Sequence, residues 1–198
     1  MTGSITEAIL FRFLRKPSGL RVVIADFTVS IHQIMIAQPN VSVGMEVAPW
    51  QTINDGVMGG LSAGVLMSTD HGLRFQGHLS LENNGGFTSV RRLFSGELKD
   101  ACGVRLRIRG DGHRFQFLVR MNDCPDGRVW RAMIETDGSW QDVKLFFKDF
   151  VAAFRGKPIP DEAPMDPGGI TGIGFLISDR QEGRFEIDIA AIEFFCQS

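Results

Sequence analysis

The stretch GVRLRIRGDGHRFQFLVRM, residues 103–121, carries two runs of alternating side chains around a single turn signal. Val104, Leu106 and Ile108 alternate with Arg105, Arg107 and Arg109. Phe115, Phe117, Val119 and Met121 alternate with Arg114, Gln116 and Arg120. A period of two puts the apolar residues of each run on one strand face and the polar residues on the other. Asp111-Gly112 between the runs supplies the positive φ of a tight turn, so the stretch reads as a β-hairpin. The same period recurs on both sides. Leu73, Phe75, Gly77, Leu79 and Leu81 alternate with Arg74, Gln76, His78 and Ser80. Trp130, Ala132 and Ile134 form a run closed by Asp137-Gly138, and Trp140 opens the next, through Val143 and Leu145. Phe185, Ile187, Ile189 and Ala191 alternate with Glu186, Asp188 and Ala190.

Many short strands with frequent turn signals mean a β-sandwich or barrel, whereas a doubly wound fold would need long helices between strands. One helical period occurs: Phe147, Phe150, Val151 and Phe154 stand at i, i+3, i+4 and i+7, which predicts one short crossover helix. Lys157 to Gly169 holds four prolines and reads as a long loop. Residues 1–47 follow no sustained period. Ile5 to Leu14 suits a short helix, Val22 to Ile36 one or two strands, and Gln38-Pro39-Asn40 a break. The expected organisation is an N-terminal extension over 1–47 and a β domain over 48–198.

With 198 residues and a formal net charge of −2, the chain is long enough for a sizeable core and lacks the basic excess of a nucleic-acid binder. Sixteen Phe and no Tyr leave aromatic burial to Phe and three Trp. Trp130 and Trp140 read as core residues, on the apolar side of their strands. Cys102, Cys124 and Cys196 are odd in number and widely spaced, which suits reduced thiols better than a disulfide framework or a zinc site. Leu20 to Ala37, the most apolar stretch, is interrupted by Arg21, Asp26 and His32, so no membrane insertion is expected. Residues 1–21 carry Arg12, Arg15, Lys16 and Arg21 against Glu7, a transit-peptide-like bias. The expected compartment is the cytoplasm, or the mitochondrion if residues 1–21 act as a transit peptide.

Two segments hold more Gly and Asn than plain turns require: NDGVMGG at Asn54 to Gly60 and ENNGGF at Glu82 to Phe87. Neither GxxxxGK[ST] nor GxGxxG is present, which excludes those phosphate-binding devices. No GxSxG accompanies His32, His71, His78 or His113. Asp55 and Glu82 are carboxylates that could flank a glycosidic bond or offer hard oxygens to calcium, but without an EF-hand spacing. No catalytic residue, metal ligand or cofactor is assigned. Arg109-Gly110-Asp111 spells an adhesion tripeptide, here part of a turn. Arg105, Arg107 and Arg109, with Arg114 and Arg120, read either as a solvated face or as a basic stripe for an anionic partner. Gly tolerates positive φ and close backbone approach, while Asn and Asp favour turns. Loops of this kind are also the usual place for binding.

These segments resemble the complex I intermediate-associated protein 30 family, the NADH:ubiquinone oxidoreductase assembly proteins. The resemblance is carried by "W..INDGVMGGLS" at Trp50 to Ser62 and "FQGHLSLENNGGFTSVR" at Phe75 to Arg91. "GVRLRIRGDGHRFQFLVR" follows at Gly103 to Arg120, then "W..VKLFFKDFVAAFRG" at Trp140 to Gly156 and "ITGIGFLISDRQEGRFEIDIAAI" at Ile170 to Ile192. It covers about residues 48–195. It implies an all-β jelly-roll sandwich like the galactose-binding domains. It also implies a non-enzymatic, chaperone-like assembly factor whose partner is a protein client such as complex I subunits or assembly intermediates. The partner- or ligand-binding candidates are Asn54, Asp55, Gly59, Gly60, Glu82, Asn83, Asn84, Gly85, Gly86 and Arg91. An alternative for the same loops is a carbohydrate-binding module, with Trp50, Trp130 or Trp140 stacking on a sugar and Asp55, Asn83 and Asn84 bonding its hydroxyls.

Overall fold

The computed structural model describes residues 40–121, 128–160 and 162–196. The elements expected between Ile5 and Ile36, and Cys124, lie outside them. Two antiparallel sheets face each other. The first contains β3 (Ala63–Thr69), β4 (Gly72–Leu79), β13 (Gly183–Phe195), β6 (Gly103–Gly110) and β9 (Gln141–Phe146), in the order β3-β4-β13-β6-β9. In it, β1 (Val41–Ser42) also pairs with β13, so the sandwich takes in residues ahead of the expected boundary at Val47. The second contains β2 (Gln51–Asn54), β5 (Thr88–Leu93), β7 (Arg114–Met121), β8 (Arg128–Glu135), β10 (Val151–Phe154), β11 (Lys157–Pro158) and β12 (Ile170–Ile177). Its order is β11-β10-β8-β7-β12-β5-β2.

The alternating runs become these strands because each period-two pattern offers one apolar face. Val104, Leu106 and Ile108 of β6 meet Phe115, Phe117 and Val119 of β7 and Ile173, Phe175 and Ile177 of β12 in a shared core, all at most 1% exposed. Phe supplies the aromatic packing: the Phe117 and Phe175 rings meet edge-on at 5.3 Å, and Phe75 and Phe185 at 5.0 Å. Each fully buried Phe is worth roughly 1.5–3 kcal/mol of transfer free energy. That outweighs a few tenths per surface pair, so the core face fixes the register.

Several local expectations are corrected. Asp111-Gly112 does not close a hairpin, because β6 and β7 lie in different sheets and the link is an arch between them. The positive φ is present, +97° at Gly112. The turn is held by distant partners: Glu186 N–H donates to Asp111 Oδ2 at 2.8 Å, and Gly112 N–H donates to Thr136 Oγ1 at 3.1 Å. The basic stripe therefore splits. Arg105, Arg107 and Arg109 lie on the first sheet opposite Glu193, Asp142 and Asp188, while Arg114 and Arg120 belong to the second.

The crossover helix is a single 3-10 turn, Phe147–Asp149, followed by strand β10. Phe147 and Phe150 are both buried, but Val151 and Phe154 are 48% and 41% exposed, so the helical period was carried by residues that share no face. The alternation in β13 also changes phase. Its register against β6 shifts between Ile189 and Ala191, and this bulge at Ala190 lets Ile192 and Phe194 face inward after Ile187 and Ile189.

Trp140 is not a core residue. It lies half-buried with the Arg107 and Arg109 guanidinium carbons 5.6 and 5.1 Å from its ring centroid, and His71 meets its edge at 6.1 Å. Arg109 and Arg74 converge on Asp188, whose side chain is 3% exposed, at 2.7 and 2.6 Å. Burial would raise the Asp188 pKa, but hydrogen bonds and charge from Arg74 and Arg109 hold it below the usual carboxylate range.

Candidate functional site

The two Gly/Asn segments, about thirty residues apart in sequence, are tied together by one carboxylate. Asp55 is fully buried and opens a 3-10 turn, Asp55–Met58. Its Oδ1 accepts from Ser62 N–H at 3.0 Å, and its Oδ2 from Gly86 N–H at 2.7 Å and Phe87 N–H at 3.3 Å. Burial pushes its pKa up, but the hydrogen bonds from Ser62, Gly86 and Phe87 outweigh this and leave it lowered. Gly60 and Gly85 are glycines because this carboxylate sits against their Cα atoms. A Cβ on Gly60 would lie 2.3 Å from Asp55 Cγ, and one on Gly85 2.6 Å from Asp55 Oδ2. Gly59 closes the turn in the left-handed region, φ +85°. Asn54 is tied down as well: its Oδ1 accepts from Gly64 N–H at 3.0 Å and from the Thr88 hydroxyl at 2.6 Å. Asn54 and Asp55 thus face inward and fix loop geometry.

The second segment faces outward. Glu82 and Asn83 are exposed, Asn83 has φ +55°, and Glu82 to Asn84 form a short 3-10 turn. Gly85, Gly86 and Phe87 form one wall of a cleft of about 760 Å³ at the loop end of the second sheet. Arg131, Arg155, Leu176 and Asp179 complete it. Its floor is a polar chain on the outer face of the sheet. Arg131 Nη1 donates to Gln116 Oε1 at 3.1 Å, and Gln116 Nε2 lies 3.0 Å from Ser178 Oγ and 3.3 Å from Asp179 Oδ2. The Ser178 hydroxyl reaches Asp179 Oδ1 at 3.1 Å. Gln116, only 1% exposed, is the covered link of this chain, while Asp179 is exposed to the cleft. Arg91 lies elsewhere. On β5, opposite Gln51 and Gly174, it lines a separate cavity of about 370 Å³ with Arg120 and Gly172.

The sequence reading missed Arg131, Arg155, Gln116, Ser178 and Asp179. Arg131 and Gln116 carry no signal beyond ordinary alternation. Arg155-Gly156 is a turn signal that the helical reading of the preceding residues hid. The cleft can offer guanidinium donors, one carboxylate and two apolar walls. Among the described residues no three His, Cys, Asp or Glu side chains are grouped to hold a metal, and no helix is long and apolar enough to cross a membrane.

Residues 36–189 match the model of the family described as complex I intermediate-associated protein 30. The chain belongs to this family. A mouse (Mus musculus) relative, "Complex I intermediate-associated protein 30, mitochondrial", is 30% identical over 95 residues, 46% of this chain but only 29% of the mouse protein. The matched part of the family member thus spans less than a third of that relative's length. Among solved structures, a family 11 carbohydrate-binding module from Clostridium thermocellum, in complex with a β-1,3-1,4-mixed-linked tetrasaccharide, superposes with a TM-score of 0.59. The two are 18% identical, and the match covers 79% of this chain and 95% of the module. The family 11 module of a cellulosomal cellulase of the same bacterium gives 0.60 at 17% identity, over 80% and 95%. An agarase gives 0.52 at 12% identity, over 75% of this chain and 22% of the enzyme. At these identities the likeness establishes the fold, a jelly-roll sandwich of the galactose-binding type.

Proposed function

We propose that this member of the complex I intermediate-associated protein 30 family is a binding protein without catalytic activity. In this reading it holds a protein client, a complex I subunit or assembly intermediate, in the cleft walled by Gly85 to Phe87. The observation that carries the reading is the family match over residues 36–189, joined to a preformed cleft on the sequence segment that the family resemblance singled out. The cleft suits a polypeptide: it is open, partly apolar at Phe87 and Leu176, and lined by donors that can take backbone carbonyls or side-chain oxygens.

A saccharide is the second reading, favoured by the fold of the structural neighbours. Sugar sites need a flat aromatic platform beside their polar groups. Trp50 and Trp130 are buried at 9% and 8% exposure, and Trp140 lies on the other sheet under two arginines. Phe87 is the aromatic residue in the cleft wall. This distribution supports the client over the sugar. The mouse relative's name places that protein in the mitochondrion, which favours the mitochondrial compartment over the cytoplasm for this chain.

The test is tagged purification from cells that assemble complex I, comparing the wild type with Leu176→Trp, which fills the cleft from its apolar side. Complex I subunits should co-purify with the wild type and be lost from the folded variant. Retention of the same subunits by Leu176→Trp, or glycan-array binding by the wild type that this variant loses, would overturn the reading.

A further inference from the structure

Five arginines elsewhere on the sandwich are paired. Arg74, Arg105, Arg107, Arg109 and Arg128 each face a carboxylate. Arg131 and Arg155, which both line the cleft, form no ion pair among the described residues. Arg131 spends one Nη1–H on Gln116, and a guanidinium carries five N–H donors. Arg155 lies over the Phe154 ring, its guanidinium carbon 5.2 Å from the centroid. The cleft's own carboxylate, Asp179, is occupied by Gln116 and Ser178.

Arg155 is also in an unusual backbone position. Phe154 pairs with Lys157, so Arg155-Gly156 is the two-residue turn of the β10–β11 hairpin, with φ +48° and +79°. Positive φ at both positions is the turn that Asn-Gly or Asp-Gly ordinarily fills. An Arg there is sterically disfavoured. A strained side chain aimed at a cleft points to a use for its guanidinium.

Resting on the client reading above, we infer that Arg131 and Arg155 form a carboxylate clamp that grips a Glu or Asp side chain of an extended client segment across the cleft. Charge complementarity identifies the occupant. Two guanidiniums against one already-bonded Asp179 leave the cleft positive, and a fork of N–H donors matches a carboxylate in two-point geometry. Phe87 and Leu176 then pack apolar side chains beside the acidic one. The cleft, at about 760 Å³, is larger than a free carboxylate requires, which suits a polypeptide.

The clamp is tested by fluorescence anisotropy with a fluorescein-labelled twelve-residue β-branched peptide carrying a central Glu pair, alongside versions with Gln or phosphoserine at those positions. The Glu peptide should bind, with the Gln peptide about tenfold or more weaker, the factor expected on losing one charge-assisted hydrogen bond. Arg131→Gln and Arg155→Asn should each weaken the Glu peptide about tenfold, while Arg155→Asn keeps or raises Tm because Asn suits the turn. Equal binding of Glu and Gln peptides, binding of neither, or a preference for phosphoserine overturns the clamp. If complex I subunits still co-purify with the wild type and are lost with Leu176→Trp, the client reading stands and only the carboxylate falls. If those subunits fail to co-purify, the reading beneath it falls too.

Discussion

Replacing Asp55 with Asn should destabilise the sandwich through its loop end. The carboxylate receives three backbone N–H groups, from Ser62, Gly86 and Phe87. An Asn can turn its Oδ1 toward Gly86 and Phe87, but its NH2 then faces Ser62 N–H, leaving a buried donor unsatisfied at about 1–3 kcal/mol. The two surviving bonds become neutral and lose roughly half their strength, about 1 kcal/mol more. Relief of the buried charge offsets little of this. The folded carboxyl titrates below its usual value, so its hydrogen bonds outweigh its burial and the ionised form is the stabilised one. The sum is about 3 kcal/mol, or roughly 6–12 °C in Tm at 2–4 °C per kcal/mol for a domain of this size.

The sign of the pH dependence follows. A depressed folded pKa contributes stability at pH values above about 3.9, the unfolded value, and that stability is lost as pH falls through the folded pKa. Thermal melts of wild type and Asp55→Asn should therefore differ most near neutral pH and converge in acid, with Glu82→Gln as the exposed control. A Tm change under about 2 °C at pH 7, or a gap that persists undiminished in acid, would refute the assignment of Asp55 as the knot between the two loops.

Gly60→Ala should destabilise by at least about 1 kcal/mol, since its Cβ would fall 2.3 Å from Asp55 Cγ; urea denaturation with an unchanged midpoint would show that the carboxylate moves aside freely. Asp188→Ala should cost about 2 kcal/mol by stranding Arg109 and leaving Arg74 only Glu186 on the first sheet, and wild-type stability from this group should likewise fade as pH drops below about 3.9; urea midpoints across pH 3–7 read both. Arg155→Asn should raise stability by roughly 0.5–1 kcal/mol through relief of its positive φ, measured as a Tm gain of a few degrees or less.

The strands were legible because burial acts on every second residue, and β4, β6, β7 and β8 keep that period over most of their length. Partners were not. Asp111-Gly112 tells the chain to reverse but not into which sheet, and the groups that settle it, Glu186 and Thr136, lie 75 and 24 residues away. The Phe147 to Phe154 period misled for a related reason: a 3-10 turn followed by a strand can place two Phe inward at i and i+3 without a helix. For the site, NDGVMGG and ENNGGF were legible as more than turns, but their division of labour was not. A carboxylate among glycines looks exposed in sequence, whereas two of its donors come from backbone N–H groups 31 and 32 residues on.

That division of labour sets how binding measurements on the loops must be interpreted. Asp55 has no exposed surface, yet it holds the N–H groups of Gly86 and Phe87, which stand in the cleft wall. A change at Asp55 therefore acts on a client through the position of that wall. It should weaken binding in step with the loss of stability, and cooling should restore part of both. Arg155→Asn removes a guanidinium from the cleft and leaves the Gly85 to Phe87 wall where it was. It should weaken binding with no loss of Tm, and cooling should not selectively rescue it. The ratio of lost affinity to lost stability, measured for both variants at two temperatures, separates the residue that shapes the cleft from the residue that touches what enters it. Indistinguishable ratios would mean that Gly85 to Phe87 do not form a wall that depends on Asp55.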